Sequence, residues 1–108
     1  SIPLANGSDT PIDTINPWQG IYTAVTTKAK DGVTYNIEEA ISLYEAIKLY
    51  TIDSAASFGQ ADKRGLIKEG YNADFILFDE DPFELQNDDL LSVKCAETIC
   101  RGNIVYKR

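Results

Sequence analysis

Apolar positions along the chain follow two rhythms, helical in roughly the first sixty residues and strand-like in the remainder. Ile37, Ala40, Ile41, Tyr44, Ile47 and Tyr50 recur at helical spacing and form one apolar stripe. Immediately ahead of them, Asn36-Ile37-Glu38-Glu39 has the form of a capping box, with Asn36 as N-cap and Glu39 reaching back from N3. The pattern therefore predicts a helix that begins at Ile37 and runs to Tyr50. Thr51-Ile52-Asp53 interrupts it, and Asp53 is suited to cap a second, shorter helix through Ala55, Ala56 and Phe58 to Gly59. Nearer the start, Pro17 fits the first turn of another helix, on which Ile21, Ala24 and Val25 share a face.

The opening run Ile2-Pro3-Leu4-Ala5 reads as a short strand with Pro near its beginning, where a strand tolerates it. Asn6-Gly7-Ser8-Asp9 then supplies turn chemistry, and Lys28 to Tyr35 reads as a surface loop around Asp31-Gly32. After Gly59 the pattern changes. Gln60 to Arg64 is polar, and Gly65 to Gly70 is a turn-rich β segment. The β-branched and aromatic content of Ala73 to Phe78 predicts a buried strand, ended by the Asp81-Pro82 loop. Val93 to Ile99 and Ile104 to Tyr106 flank Arg101-Gly102-Asn103, the signal of a hairpin. The fold class read from these elements is α+β.

At 108 residues, 44% hydrophobic and 25% charged, the chain has the length and composition of one globular domain. Ten Lys and Arg against seventeen Asp and Glu leave a net charge of −7, which disfavours nucleic acid and anionic membrane as partners. The denser acidic patches, Asp79 to Glu84 and Asp88-Asp89, read as solvated loops. No apolar run approaches the roughly 20 residues that span a bilayer. The start, Ser1-Ile2-Pro3-Leu4, lacks the features of a signal peptide, and the chain has no Met, which is consistent with a piece cut from a longer protein and equally with a processed terminus. Cys95 and Cys100 lie an odd number of residues apart, which points them to opposite faces of a strand and forbids a simple bridge. Two reduced, half-buried thiols in a cytoplasmic protein are the expectation.

The chemistry the chain lacks narrows its activities. Without His there is no imidazole base, no Ser-His-Asp triad and no imidazole metal ligand. No phosphate-cradling glycine loop occurs, and no pair of carboxylates has a spacing that specifies acid/base work. Asp9 has two readings from the residues alone, a turn residue or the carboxylate end of a site whose other groups lie elsewhere.

Three stretches, taken together, cover nearly the whole chain and resemble one family. They are Leu4-Ala5-Asn6-Gly7-Ser8-Asp9 followed by Pro11; Glu39-Ala40 followed by Tyr50-Thr51-Ile52-Asp53-Ser54-Ala55-Ala56; and Gly65-Leu66 through Gly70-Tyr71-Asn72-Ala73-Asp74 to Asp81-Pro82, ending in Thr98 to Tyr106. In this order they resemble the C-terminal portion of a metal-dependent amidohydrolase, in the branch that includes N-substituted formamide deformylases. The resemblance implies that residues 1–60 end a TIM-like barrel, with the last strand tip and two or three helices. It implies that residues 61–108 supply the C-terminal strands of a β-sandwich.

Activity in the longer parent is then hydrolysis of non-peptide carbon–nitrogen bonds in small amide-like molecules, by water activated on a divalent metal, zinc by preference. Asp9 matches the aspartate that closes the eighth barrel strand, and so carries the implied catalytic and metal-ligating role. Ser8 stands next to it, either near substrate or as a backbone cap, and Asp74 and Gly70 serve turn geometry. The family's histidine ligands come from earlier strands, so this chain alone is expected to bind no catalytic metal and to be inactive. The alternative is a regulatory or protein-interaction domain that kept the family's ending without its chemistry. Separated from a barrel, the Ile37-to-Tyr50 stripe is an expected face for self-association.

Overall fold

The computed structural model describes residues 2–108. Among them, three helices precede three strands: α1 (Pro17–Thr26), α2 (Leu43–Tyr50), α3 (Ile52–Ser57), β1 (Phe75–Phe78), β2 (Cys95–Cys100) and β3 (Asn103–Lys107). The strands form one antiparallel sheet in the order β1-β2-β3.

α1 starts where Pro17 predicts. The Asn16 side chain accepts the Trp18 N–H at 3.0 Å, and Thr27 closes the helix in the left-handed region with its N–H on the Thr23 carbonyl. Its inward face carries Trp18, Ile21 and Tyr22, all buried.

The long helix from Ile37 is not formed. Asn36 is left-handed at φ 41° and caps nothing with its side chain, and Ile37–Glu39 is a single 3₁₀ turn. Ala40 is extended, and Ile41 donates its N–H to the Ala24 carbonyl at 3.1 Å. That bond draws Ile41 onto the core and interrupts the helical path. A second motif of the same kind, Ser42-Leu43-Tyr44-Glu45, starts the helix instead. Ser42 Oγ accepts the Glu45 N–H at 3.2 Å, and the Glu45 carboxylate accepts the Ser42 N–H at 3.0 Å. The stripe is accordingly broken: Ile41, Ile47 and Tyr50 pack on the core, while Ile37 and Tyr44 are exposed. Ile37, in the 3₁₀ turn, and Tyr44, on α2, therefore do not lie on one helix.

In α3, Thr51 and not Asp53 occupies the position before the first turn, and Asp53 sits inside it, facing Lys48 at 3.9 Å. Among the described residues no strand forms between Gly65 and Gly70; turns and a Tyr71 hydroxyl bond to the Ala61 carbonyl (2.8 Å) order this segment instead. Ile2 to Ala5 likewise forms no strand, because no neighbouring strand lies beside it among the described residues.

β1 forms as expected but is not buried: Ile76 and Leu77 are half exposed, because a single sheet has no second layer over it. Its last residue, Phe78, meets Trp18 edge-on at 5.4 Å. Between β2 and β3 the turn is Arg101-Gly102, with φ of 51° and 78°, and Asn103 already belongs to β3. Ala73 and Asp74, just ahead of β1, hold this turn. The Asp74 carboxylate accepts the Arg101 N–H at 2.8 Å, and the Ala73 carbonyl accepts the Gly102 N–H at 2.9 Å. The turn role expected for Asp74 is thereby seen in bonds. Cys95 is half-buried, Cys100 is exposed rather than half-buried, and the two are not bridged.

The core is built from both halves of the chain. Trp18 and Ile21 of α1 and Ala46 of α2 pack against Leu90 and Val93, which lie in the segment leading into β2. A Tyr22 hydroxyl bond to Asp88 (3.1 Å) ties the same two regions at the rim. The exposed area is 7763 Å², against about 6,000 Å² for a compact monomer of this mass.

Candidate functional site

Asn6 to Asn16 carries five of the polar side chains that line one cleft, Asn6, Ser8, Asp13, Thr14 and Asn16. Leu4 and Ala5 lead in, and the Asn6 N–H donates to the Leu49 carbonyl at 3.1 Å, which fastens the segment to α2. Asn6 Oδ1 accepts the Gly7 N–H, and the Ser8 and Thr10 hydroxyls are 2.7 Å apart. Asp9 begins a turn: its carbonyl accepts the Ile12 N–H at 2.9 Å, and its φ is 53°. Aspartate is one of the few side chains that tolerate this left-handed backbone.

A cleft of about 730 Å³ opens between this segment, α1 and the loop from Ala29 to Asp31, with Tyr50 as part of its wall. Ser8 and Asp13 line it; Asp9 stands on the exposed turn between them and does not. Asp13 forms an ion pair with Lys30 and accepts the Thr14 N–H, and the two bonds, Lys30's foremost, hold its carboxyl below the usual carboxylate range. Burial pushes the Tyr50 phenol up. The phenol lies against Gly20, where a larger residue would displace it.

Asp13, Lys30 and Tyr50 gather at the cleft without any signal in the sequence. Asp13 is one acid among many, and Lys30 is brought to it by a loop closed through the Lys28–Thr34 bridge, a tertiary arrangement.

The donors do not fit a catalytic metal by themselves. Such an ion takes three or more protein ligands. The chain has no His, and among the described residues no three of His, Cys, Asp and Glu stand close enough to hold one. Asp9 contributes a single carboxylate.

Comparison with known proteins gives a consistent set of matches. A model described as the amidohydrolase family matches residues 1–106. The chain is 41% identical to YtcJ of Bacillus subtilis (strain 168) over 110 aligned residues, covering 99% of this chain and 21% of that protein. It is 30% identical to an N-substituted formamide deformylase of Arthrobacter pascens, covering 99% of this chain and 20% of that one. In fold it matches the crystal structure of an amidohydrolase from Thermotoga maritima MSB8, with a TM-score of 0.71 at 21% identity, over 99% of this chain and 24% of that one. The chain therefore spans about a fifth of the length of the curated relatives it matches.

Proposed function

The chain belongs to the amidohydrolase family, and on that premise we propose that it is the C-terminal part of a metal-dependent hydrolase cleaving non-peptide carbon–nitrogen bonds in small amide-like molecules. The observation that carries the reading is the likeness to the N-substituted formamide deformylase, which runs along nearly the whole chain. In this reading the ion that the family's chemistry uses is held by ligands elsewhere in the longer protein, since the residues here do not make a set for it. Asp9 contributes one carboxylate, which orients the attacking water and takes up its proton. Its place on an exposed turn, displayed and not packed away, supports that role.

The test uses the full-length enzyme with a panel of N-substituted formamides and other small amides. Asp9→Asn is expected to lower kcat by roughly 10²–10⁴-fold while the protein stays folded. Turnover equal to that of the unaltered enzyme removes Asp9 from the reaction. Absence of amide hydrolysis in the unaltered full-length protein removes the whole reading.

A further inference from the structure

We propose that Lys30 is a positioning residue for Asp9: its ion pair with Asp13 pins the turn on which Asp9 stands. The inference rests on the proposed role of Asp9 and adds what holds that carboxylate in place.

Residues 7–15 form no helix or strand. The segment is fastened at its two ends, by the Asn6 N–H on the Leu49 carbonyl at 3.1 Å and by Asn16, whose side chain accepts the Trp18 N–H at 3.0 Å. Between those ends the bonds are local. The Ser8 and Thr10 hydroxyls are 2.7 Å apart, the Ile12 N–H donates to the Asp9 carbonyl at 2.9 Å, and the Thr14 N–H donates to the Asp13 carboxylate at 2.6 Å. Among the described residues, one hydrogen bond ties residues 7–15 to anything outside Asn6–Asn16, and it runs from Lys30 Nζ to the Asp13 carboxylate. Asp13 follows Ile12, whose N–H closes the Asp9 turn, so a hold on Asp13 reaches that turn through one residue of backbone.

Lys30 comes from a loop with its own frame. The Ala29 N–H donates to the Val33 carbonyl and the Tyr35 N–H to the Thr27 carbonyl, both at 2.9 Å, while Gly32, at a φ of 81°, closes onto the Ala29 carbonyl. Asp31, the adjacent acid, is itself engaged, accepting the Val33 N–H at 2.8 Å and the Tyr35 hydroxyl at 3.3 Å. That leaves the Lys30 ammonium to Asp13. The pair thus joins the segment that precedes α1 to the loop that follows it.

Solvent sets the size of the effect. Lys30 and Asp13 are 62% and 48% exposed, and a pair this wet shifts a local equilibrium by roughly two- to fivefold. A reacting group misplaced by about 1 Å can lose about 10²-fold in rate, so a turn that has left its place is in effect inactive. The loss in kcat then follows the loss of the pinned population.

Two readouts on the full-length protein test this. In hydrogen exchange, Lys30→Gln is expected to speed the Ile12 and Thr14 amides by roughly two- to fivefold, and Lys30→Arg to keep the original rates. Asp13→Asn, which retains an acceptor for the Thr14 N–H, is expected to match Lys30→Gln, and the double variant to go no further than either alone. In turnover of small amides, Lys30→Gln is expected to lower kcat by roughly two- to fivefold with KM changed less than about twofold. Beside Asp9→Asn it is expected to lower kcat no further, because it acts through that carboxylate. Unchanged exchange or unchanged kcat in Lys30→Gln overturns the proposal. So does a loss carried by KM, one that Lys30→Arg also shows, or one that persists in full beside Asp9→Asn. A full-length protein that hydrolyses no amide removes the functional reading, and exchange still decides whether Lys30 pins the turn.

Discussion

At Gly65 the backbone has a φ of 93°, and a Cβ added there would lie 2.6 Å from the Ile52 Cα and 2.9 Å from its N. Both obstacles are backbone, so neither can swing aside as a side chain would. Gly65→Ala is therefore expected to cost about 3 kcal/mol in urea unfolding, left-handed strain together with the displacement of α3. Gly70→Ala is the control: its φ is 84° but the space around it is open, and about 1 kcal/mol of strain alone is expected. Asp9 shares the left-handed backbone of these glycines, and that shapes the test of its chemistry. Asparagine tolerates the same conformation, so Asp9→Asn changes the carboxylate while sparing the turn. The sequence marks both glycines as turn residues. It does not reveal that Ile52 stands behind one of them and nothing behind the other.

Two capping motifs compete for one helix, and only one is used. Ser42→Ala removes the bond that starts α2 and is expected to cost about 1 kcal/mol, whereas Asn36→Gly, which removes no cap and tolerates the left-handed backbone there, should stay within about 0.5 kcal/mol by thermal or urea melts. The same cap gives a pH signature. The Ser42 N–H and hydroxyl bonds to the Glu45 carboxylate hold its pKa below the ordinary glutamate value. A carboxyl depressed in the folded state contributes stability that is present above its unfolded pKa and fades as pH falls through the folded one. The acid loss of stability is thus expected to be shallower in Ser42→Ala than in the unaltered chain, as followed by melts over the acidic range. At the hairpin, the Ala73-Asp74 pair explains why an acid belongs before β1. Its carboxylate and the preceding carbonyl receive two N–H groups of the Arg101-Gly102 turn.

Over the whole molecule, the core joins segments far apart in sequence. Leu90, the most deeply buried large side chain, comes from the stretch beside the acidic Asp88-Asp89 pair and packs under Trp18 and Ile21. Leu90→Ala is expected to cost about 2–5 kcal/mol, and hydrogen exchange should show amides of α1 and β2 losing protection together. Loss of protection in β2 alone would show that the helical and sheet regions unfold independently. Outside this cluster the molecule is open, with apolar residues exposed on the sheet and along Ile2 to Ile15. Those surfaces fit a chain that spans about a fifth of its curated relatives.

By itself the sequence determined the α+β order of elements, the start of α1, the hairpin around Arg101-Gly102 and the family resemblance. Each of these is written in local chemistry or in a run of residues read in order: a proline at a first turn, a glycine at positive φ, an apolar strand. Only tertiary structure decided where α2 begins, because the choice between two adequate caps fell to the Ile41 bond with Ala24 and to what could pack beneath it. Tertiary structure alone also decided that β1 lies open and that Leu90 is core. It likewise brought Lys30 to Asp13. Burial and long-range ion pairing depend on which distant segments meet, and no local pattern encodes that.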